Sequence, residues 1–97
     1  MRESAFQARL IKKIKTAYPD CVVLKNDPNY IQGIQDLTIL YKSKYALLEV
    51  KDSADADHQP NQDYYVDKIN AMSFSRFIFP ENEKQVLKEL DDFFNGE

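Results

Sequence analysis

Two short apolar runs, Leu37–Tyr41 and Tyr45–Val50, lie either side of Lys42-Ser43-Lys44 and constrain this chain more than any other stretch. β-Branched, aromatic and leucine residues bounded by polar turn residues specify a hairpin. Side chains alternate across a strand, so Glu49 and Lys51 project from one face at the end of the second run. The runs before and after the turn are similar in length, which brings Asp36, at the mouth of the first run, level with them. Two carboxylates and an ammonium then converge at one end of a sheet. Neighbouring carboxylates repel, and one pKa rises unless a cation intervenes. Hard oxygen ligands suit Mg²⁺ or Mn²⁺, and an ammonium beside them can orient water or stabilise charge developing on a phosphate. Taken singly, Asp36 reads as a solvent-facing strand start, and Glu49 and Lys51 as a cross-strand ion pair or solvated edge. Taken jointly they read as a site.

The flanking sequence supplies the layers that such a hairpin needs. Residues 2–18 read as a helix with Phe6, Leu10 and Ile14 at four-residue spacing, and Tyr18-Pro19 ends it. Glu3 shares the inward face of that helix; it also fits the ordinary preference for an acidic residue in a first turn. Residues 21–25 read as a strand, Asn26 to Tyr30 as a turn or loop, and Gly33 as backbone freedom before Asp36. Residues 52–59 are acidic and polar and read as a mobile loop with a solvated His58. Asp52, Asp55 and Asp57 lack the Gly and the later Glu of a calcium loop. A helix is expected from Pro60 to Ala71 or Met72, with Gln62, Tyr65, Ile69 and Met72 on one face. Gln62 there needs a hydrogen-bond partner, or else serves as a cap or surface residue; Gln59 is the alternative inward amide. Residues 75–79 read as the last strand, ended by Pro80. Asn82 and Gln85 resemble a capping box, opening a helix that runs to about Phe94 on a face of Val86, Leu87, Leu90, Phe93 and Phe94. The expected fold is α/β, in the order α-β-β-β-α-β-α, with a central mixed four-stranded sheet flanked by helices in a single domain, 1–97.

Asp36, twelve intervening residues, then Glu49-Val50-Lys51 resembles the PD-(D/E)XK nuclease signature. The closest likeness is to the stand-alone VRR-NUC nucleases and the archaeal-type Holliday junction resolvases, and the flanking elements follow that order over nearly the whole chain. The Pro that often precedes the first Asp in the family is here Gln35. The resemblance implies a restriction-endonuclease-like core and a Mg²⁺- or Mn²⁺-dependent endodeoxyribonuclease. It implies metal binding by Asp36 and Glu49, with Glu3 nearby and the Val50 carbonyl as a further ligand. It gives catalytic roles to Lys51 and to Gln62, the family's Gln on the helix after the ExK strand, and sets a loop carrying Lys25, Asn26 and Tyr30 beside the site. It points to branched DNA such as a Holliday junction or flap, and so to DNA repair or recombination. Paired nicks in a junction require a homodimer, for which Phe74, Phe77 and the last helix are the candidate contacts. Small size without an appended helicase resembles a phage-encoded enzyme acting in the cytoplasm of a bacterial or phage-infected cell.

The net charge of −3 fits nucleic acid poorly until the chain is divided. Residues 1–51 carry nine Lys/Arg against five Asp/Glu, and residues 52–97 carry four against eleven, so net +4 stands against −7. The half with the candidate site is the basic one, which suits a nucleic-acid face as well as ordinary surface scatter. No apolar run approaches the length of a membrane helix, and the Met-Arg-Glu-Ser start lacks the apolar core of a signal peptide. The lone Cys21 fits a buried thiol in a reducing compartment. A catalytically silent nuclease fold that binds DNA or protein, or a small acidic regulator, are the rival readings.

Overall fold

Phe6, Leu10 and Ile14 are buried together because the chain is helical over Glu3–Ala17 (α1), and four-residue steps keep side chains on one face. The helix ends at Tyr18, whose N–H still reaches the Ile14 carbonyl at 2.9 Å, since Pro19 disfavours helical geometry in the residue before it. The computed structural model describes residues 1–96. After α1 come β1 (Val22–Lys25), β2 (Leu37–Tyr41), β3 (Lys44–Val50), α2 (Gln62–Met72), β4 (Phe74–Ile78) and α3 (Glu83–Asn95). This is the expected α-β-β-β-α-β-α order.

The four strands form one sheet in the order β1-β2-β3-β4. The β1–β2 and β2–β3 pairs are antiparallel, and β3–β4 is parallel, because α2 carries the chain across between them. Tyr41 pairs with Lys44, so the hairpin loop is two residues rather than three. Lys42 turns the chain at φ 57°, a conformation that an L side chain adopts at some cost.

One face of the sheet, with Leu37, Ile39, Ala46, Leu48, Val50 and Ile78, packs with α1 and α3 into a single apolar core. At its far end Tyr18 donates a 2.8 Å hydrogen bond to Asp91 Oδ1 and lies 5.0 Å and 5.2 Å from the Tyr41 and Phe94 rings. Arg9 and Lys13 of α1 meet Glu83 at the start of α3, at 3.4 Å and 3.2 Å. The other face is covered by α2 over β3 and β4 only. Val22, Leu24 and Leu40 on its uncovered half are 50%, 45% and 40% exposed.

Several local expectations need correction. Helix α2 starts at Gln62, not Pro60, because Asn61 adopts a left-handed φ of 72° that a helix cannot include. Its buried residue is Val66, while Met72, the last residue of the helix, is 61% exposed rather than part of an inward stripe. The last strand begins at Phe74 and ends at Ile78. Asn82 does not cap α3 through its side chain; its amide clasps the Phe79 N–H and the Phe77 carbonyl of the preceding turn, at 2.8 Å and 3.0 Å. Phe74 and the Val86, Leu90 and Phe94 face of α3 are buried in the core, and Phe77 lies stacked beneath His58, 4.1 Å away. Phe74 is therefore consumed inside the chain, while Phe77 stays half-buried. The acidic stretch after β3 has no regular structure but is tethered. The Ala54 N–H reaches Glu81 at 3.2 Å, and His58 Nδ1 sits 2.9 Å from Asp63.

Candidate metal centre

In the β2–β3 register Leu37 faces Leu48. One step outward, that register sets Asp36 level with Glu49, and Lys51 follows two residues later on the same face. Asp36 Oδ2 accepts a 2.8 Å hydrogen bond from the Val50 N–H, which fixes the carboxylate across the strand end. Asn26 fixes the backbone behind it. Its N–H donates to the Asp36 carbonyl at 2.9 Å, and its amide nitrogen bonds the Gln35 carbonyl and Thr38 Oγ1 at 2.9 Å and 2.8 Å.

Gln62 joins the other two members of the set. Its Nε2 donates to Glu49 Oε2 at 3.0 Å, while its Oε1 accepts from Lys51 Nζ at 2.7 Å and from the Gln59 N–H at 2.8 Å. With an ammonium on one side and a carboxylate on the other, only this amide orientation satisfies both ends. Gln62, not Gln59, is thus the inward amide. Lys51 Nζ also donates to the Asp57 carbonyl at 2.9 Å, so two acceptors hold a cation that is only 5% exposed.

Glu49 is 3% exposed. Burial, then the Asp36 charge and a carboxyl–carboxyl hydrogen bond with Asp36, push its pKa from 4.5 up to about 8, against an opposing pull from Lys51. With both groups ionised, Glu49 Oε1 is buried without a hydrogen-bond partner. A proton on Glu49 turns the repulsion into a hydrogen bond to Asp36. The pair is therefore short of one positive charge, which a proton or a metal ion can supply.

Glu3, the first residue of α1, is exposed by surface area and makes no side-chain hydrogen bond among the described residues. It is electrostatically part of the cluster: its pKa is raised by partial burial, then by Asp36 and Asp52, with Lys51 lowering it. Val50 contributes its N–H to Asp36, and its side chain is fully buried in the core. His58 stands outside the set, stacked on Phe77 and paired with Asp63.

The donor set fits a small hard cation. Among the described residues no group of three or more His, Cys, Asp or Glu is placed to hold a metal, so an ion here would rest on the two carboxylates of Asp36 and Glu49. Mg²⁺ commonly binds that way, through one or two carboxylates, with water and substrate phosphate completing the shell.

Gln35 was visible in the sequence only as a departure from Pro. It is fully buried and donates to the Tyr65 carbonyl at 2.8 Å and to Ser75 Oγ at 2.7 Å. It thus joins the residue before Asp36 to α2 and β4. Gly33, two residues before it and at φ 90°, approaches so closely that a Cβ there would lie 2.6 Å from Asn61 Cβ. The Asp36 segment and the Gln62 helix start are therefore positioned against each other. No family model, no curated protein and no solved structure matches the chain.

Proposed function

We propose that this chain is a metal-dependent endodeoxyribonuclease of the PD-(D/E)XK kind, acting on phosphodiester bonds in branched DNA. The observation that carries the reading is the charge-deficient Asp36–Glu49 pair, with its buried and unpartnered Glu49 Oε1, bordered by Lys51 and Gln62. Asp36 and Glu49 would hold Mg²⁺ or Mn²⁺, with Glu3 adding negative potential and the Val50 carbonyl as a further ligand. When bound, the ion supplies Lewis-acid polarisation of the phosphodiester and acidifies the attacking water.

The chain's own groups do the rest. Lys51 spends two of its three N–H donors on Gln62 and the Asp57 carbonyl, leaving one for a phosphate oxygen or the attacking water. Gln62 fixes the distance between that ammonium and the Glu49 carboxylate, so both face one phosphate. Preorganisation of this kind lowers the barrier because no dipole has to reorient as charge develops. Junction resolution requires paired nicks and hence two copies of the chain. The basic balance of residues 1–51 suits a polyanion at the site-bearing half.

The test is cleavage of labelled four-way junction, flap and linear duplex in Mg²⁺ or Mn²⁺, with Glu49→Gln and Lys51→Ala alongside. Metal-dependent nicking by the wild type, lost in both variants, is the expected result. Cutting of linear duplex alone keeps the chemistry and removes the branched substrate. No cutting by the wild type, or equal cutting by the variants, removes the nuclease reading in favour of a silent DNA- or protein-binding module.

A further inference from the structure

Beside the carboxylates lies a second feature that the cleavage chemistry does not use. A cavity of about 300 Å³ is lined by Asn26, Asp27, Tyr30, Ile31, Ile34, Thr38 and Leu47. Thr38 and Leu47 are a registered pair of the β2–β3 ladder. They stand two residues inward from Asp36 and Glu49 on the same face, about 7 Å along the strands. The cavity is therefore adjacent to the candidate metal centre and lies about one nucleotide from it.

Its chemistry is selective. Ile31, Ile34 and Leu47 give apolar walls. The polar groups of Asn26 and Thr38 are spent on each other at 2.8 Å and 3.2 Å, so they offer little to a ligand. Tyr30 stands at the lip, 84% exposed, on a loop that is braced rather than loose. Asp27 accepts from the Asn29 N–H at 2.8 Å, the Tyr30 N–H meets the Asp27 carbonyl at 3.1 Å, and Asn26 closes the base of the loop onto Asp36 at 2.9 Å. An exposed aromatic on a braced loop beside an apolar slot can serve as a stacking platform, and every base has a π-face to offer it. The Asp27 carboxylate at the rim repels phosphate, so the occupant is a base and the phosphate stays with the metal centre. A paired base inside a duplex cannot reach such a slot, whereas an unpaired or splayed one can.

We infer that this cavity, lipped by Tyr30, binds an unpaired nucleobase next to the scissile phosphate, without preference for base identity. The inference rests on the nuclease reading for its biological sense, but the binding itself needs no metal. It makes an unpaired nucleotide at a branch or flap the feature that seats the substrate.

The chain contains no tryptophan, so Tyr30→Trp places a single reporter at the lip, and Tyr64→Trp on the exposed side of α2 is its control. Each variant is titrated in chelator with an oligo(dT) of about twelve nucleotides, inside the usual single-strand site size. A fully paired hairpin with the same number of phosphates and inorganic polyphosphate are titrated in parallel. Saturable quenching of the lip reporter by oligo(dT), absent with the hairpin, polyphosphate and the α2 reporter, is expected. Equal quenching by all three ligands, or none by any, overturns the inference. With a flap substrate in Mg²⁺, Tyr30→Ala should raise KM roughly ten-fold, the size of one lost stacking contact, and keep kcat. Cleavage by the wild type with no quenching and an unchanged Tyr30→Ala KM removes the base site and leaves the nuclease. Selective quenching without any cleavage keeps the base site and removes the nuclease.

Discussion

Glu49 makes the metal-free protein's stability fall as pH rises, and Glu49→Gln should remove most of that dependence. The folded carboxyl titrates near 8 against an ordinary 4.5, so between those values the native state holds a proton that the unfolded chain has released. The native state then binds more protons, and stability falls with pH. The contribution is complete below about 4.5, declines through the interval and is gone above about 8. At 1.36 kcal/mol per pH unit the whole span is worth at most about 5 kcal/mol, a large share of the ~5–15 kcal/mol that holds a domain together. Glu3 shares this interval, and the remaining perturbed groups act outside it. Glu3 is raised in the same direction; Glu89 and Asp91 are lowered and act at acid pH with the opposite sign. Cys21 and Tyr18 are raised and act only at alkaline pH. The amide introduced by Glu49→Gln would donate to Asp36 at any pH, as the protonated Glu49 carboxyl does. Urea unfolding in chelator, at a series of pH values from about 5 to about 8, reads the effect directly. The wild type should lose at least ~2 kcal/mol across the series while the variant loses clearly less, keeping only the slope that Glu3 contributes. Parallel slopes in the two proteins, or a wild type that gains stability with pH, would refute the reasoning about the pair.

Other substitutions test how the site is held. Gln35→Ala leaves the Tyr65 carbonyl and Ser75 Oγ without the donor they now share, and should lower unfolding stability by about 2 kcal/mol in urea titration. Gln35→Pro, which restores the residue common in the resembled family, should do no better. Gly33→Ala drives a Cβ into Asn61 and the Pro60 carbonyl, at 2.6 Å and 2.8 Å, from a φ of 90°; nicking should fall further than stability, because the displaced segment is the one ahead of Gln62. Glu83→Ala frees Arg9 and Lys13 and should cost about 1 kcal/mol in low salt and less in high salt, with nicking unchanged.

The elements were legible where the side-chain pattern had one reading. Phe6, Leu10 and Ile14 specify α1, and the apolar runs around Lys42 specify the hairpin, with Asp36, Glu49 and Lys51 falling at one sheet end. Gln62 was legible as an inward amide in need of partners, and the structure gives it Glu49 and Lys51. What was not legible depends on contacts distant in the chain. Gln35 reads as an ordinary polar residue until Tyr65 and Ser75 are brought to it. Asn82 has a capping residue's identity, but the Phe79 N–H competes for its side chain and wins. Phe74 looks available for a partner because nothing in sequence shows that the core already covers it. The apolar slot under Tyr30 needs a folded loop and a sheet face together, so only its lip was visible.

The central claim is that Asp36 and Glu49 together hold one divalent ion in place of one proton. Calorimetric titration of the protein with Mn²⁺ near neutral pH, in two buffers of different ionisation enthalpy, measures affinity and proton release together. The account predicts saturable binding by the wild type with about one proton released per ion, because Glu49 titrates near 8 without the metal, and loss of both in Asp36→Asn and Glu49→Gln. Absence of binding by the wild type, or equal binding by Glu49→Gln with no proton released, would contradict it.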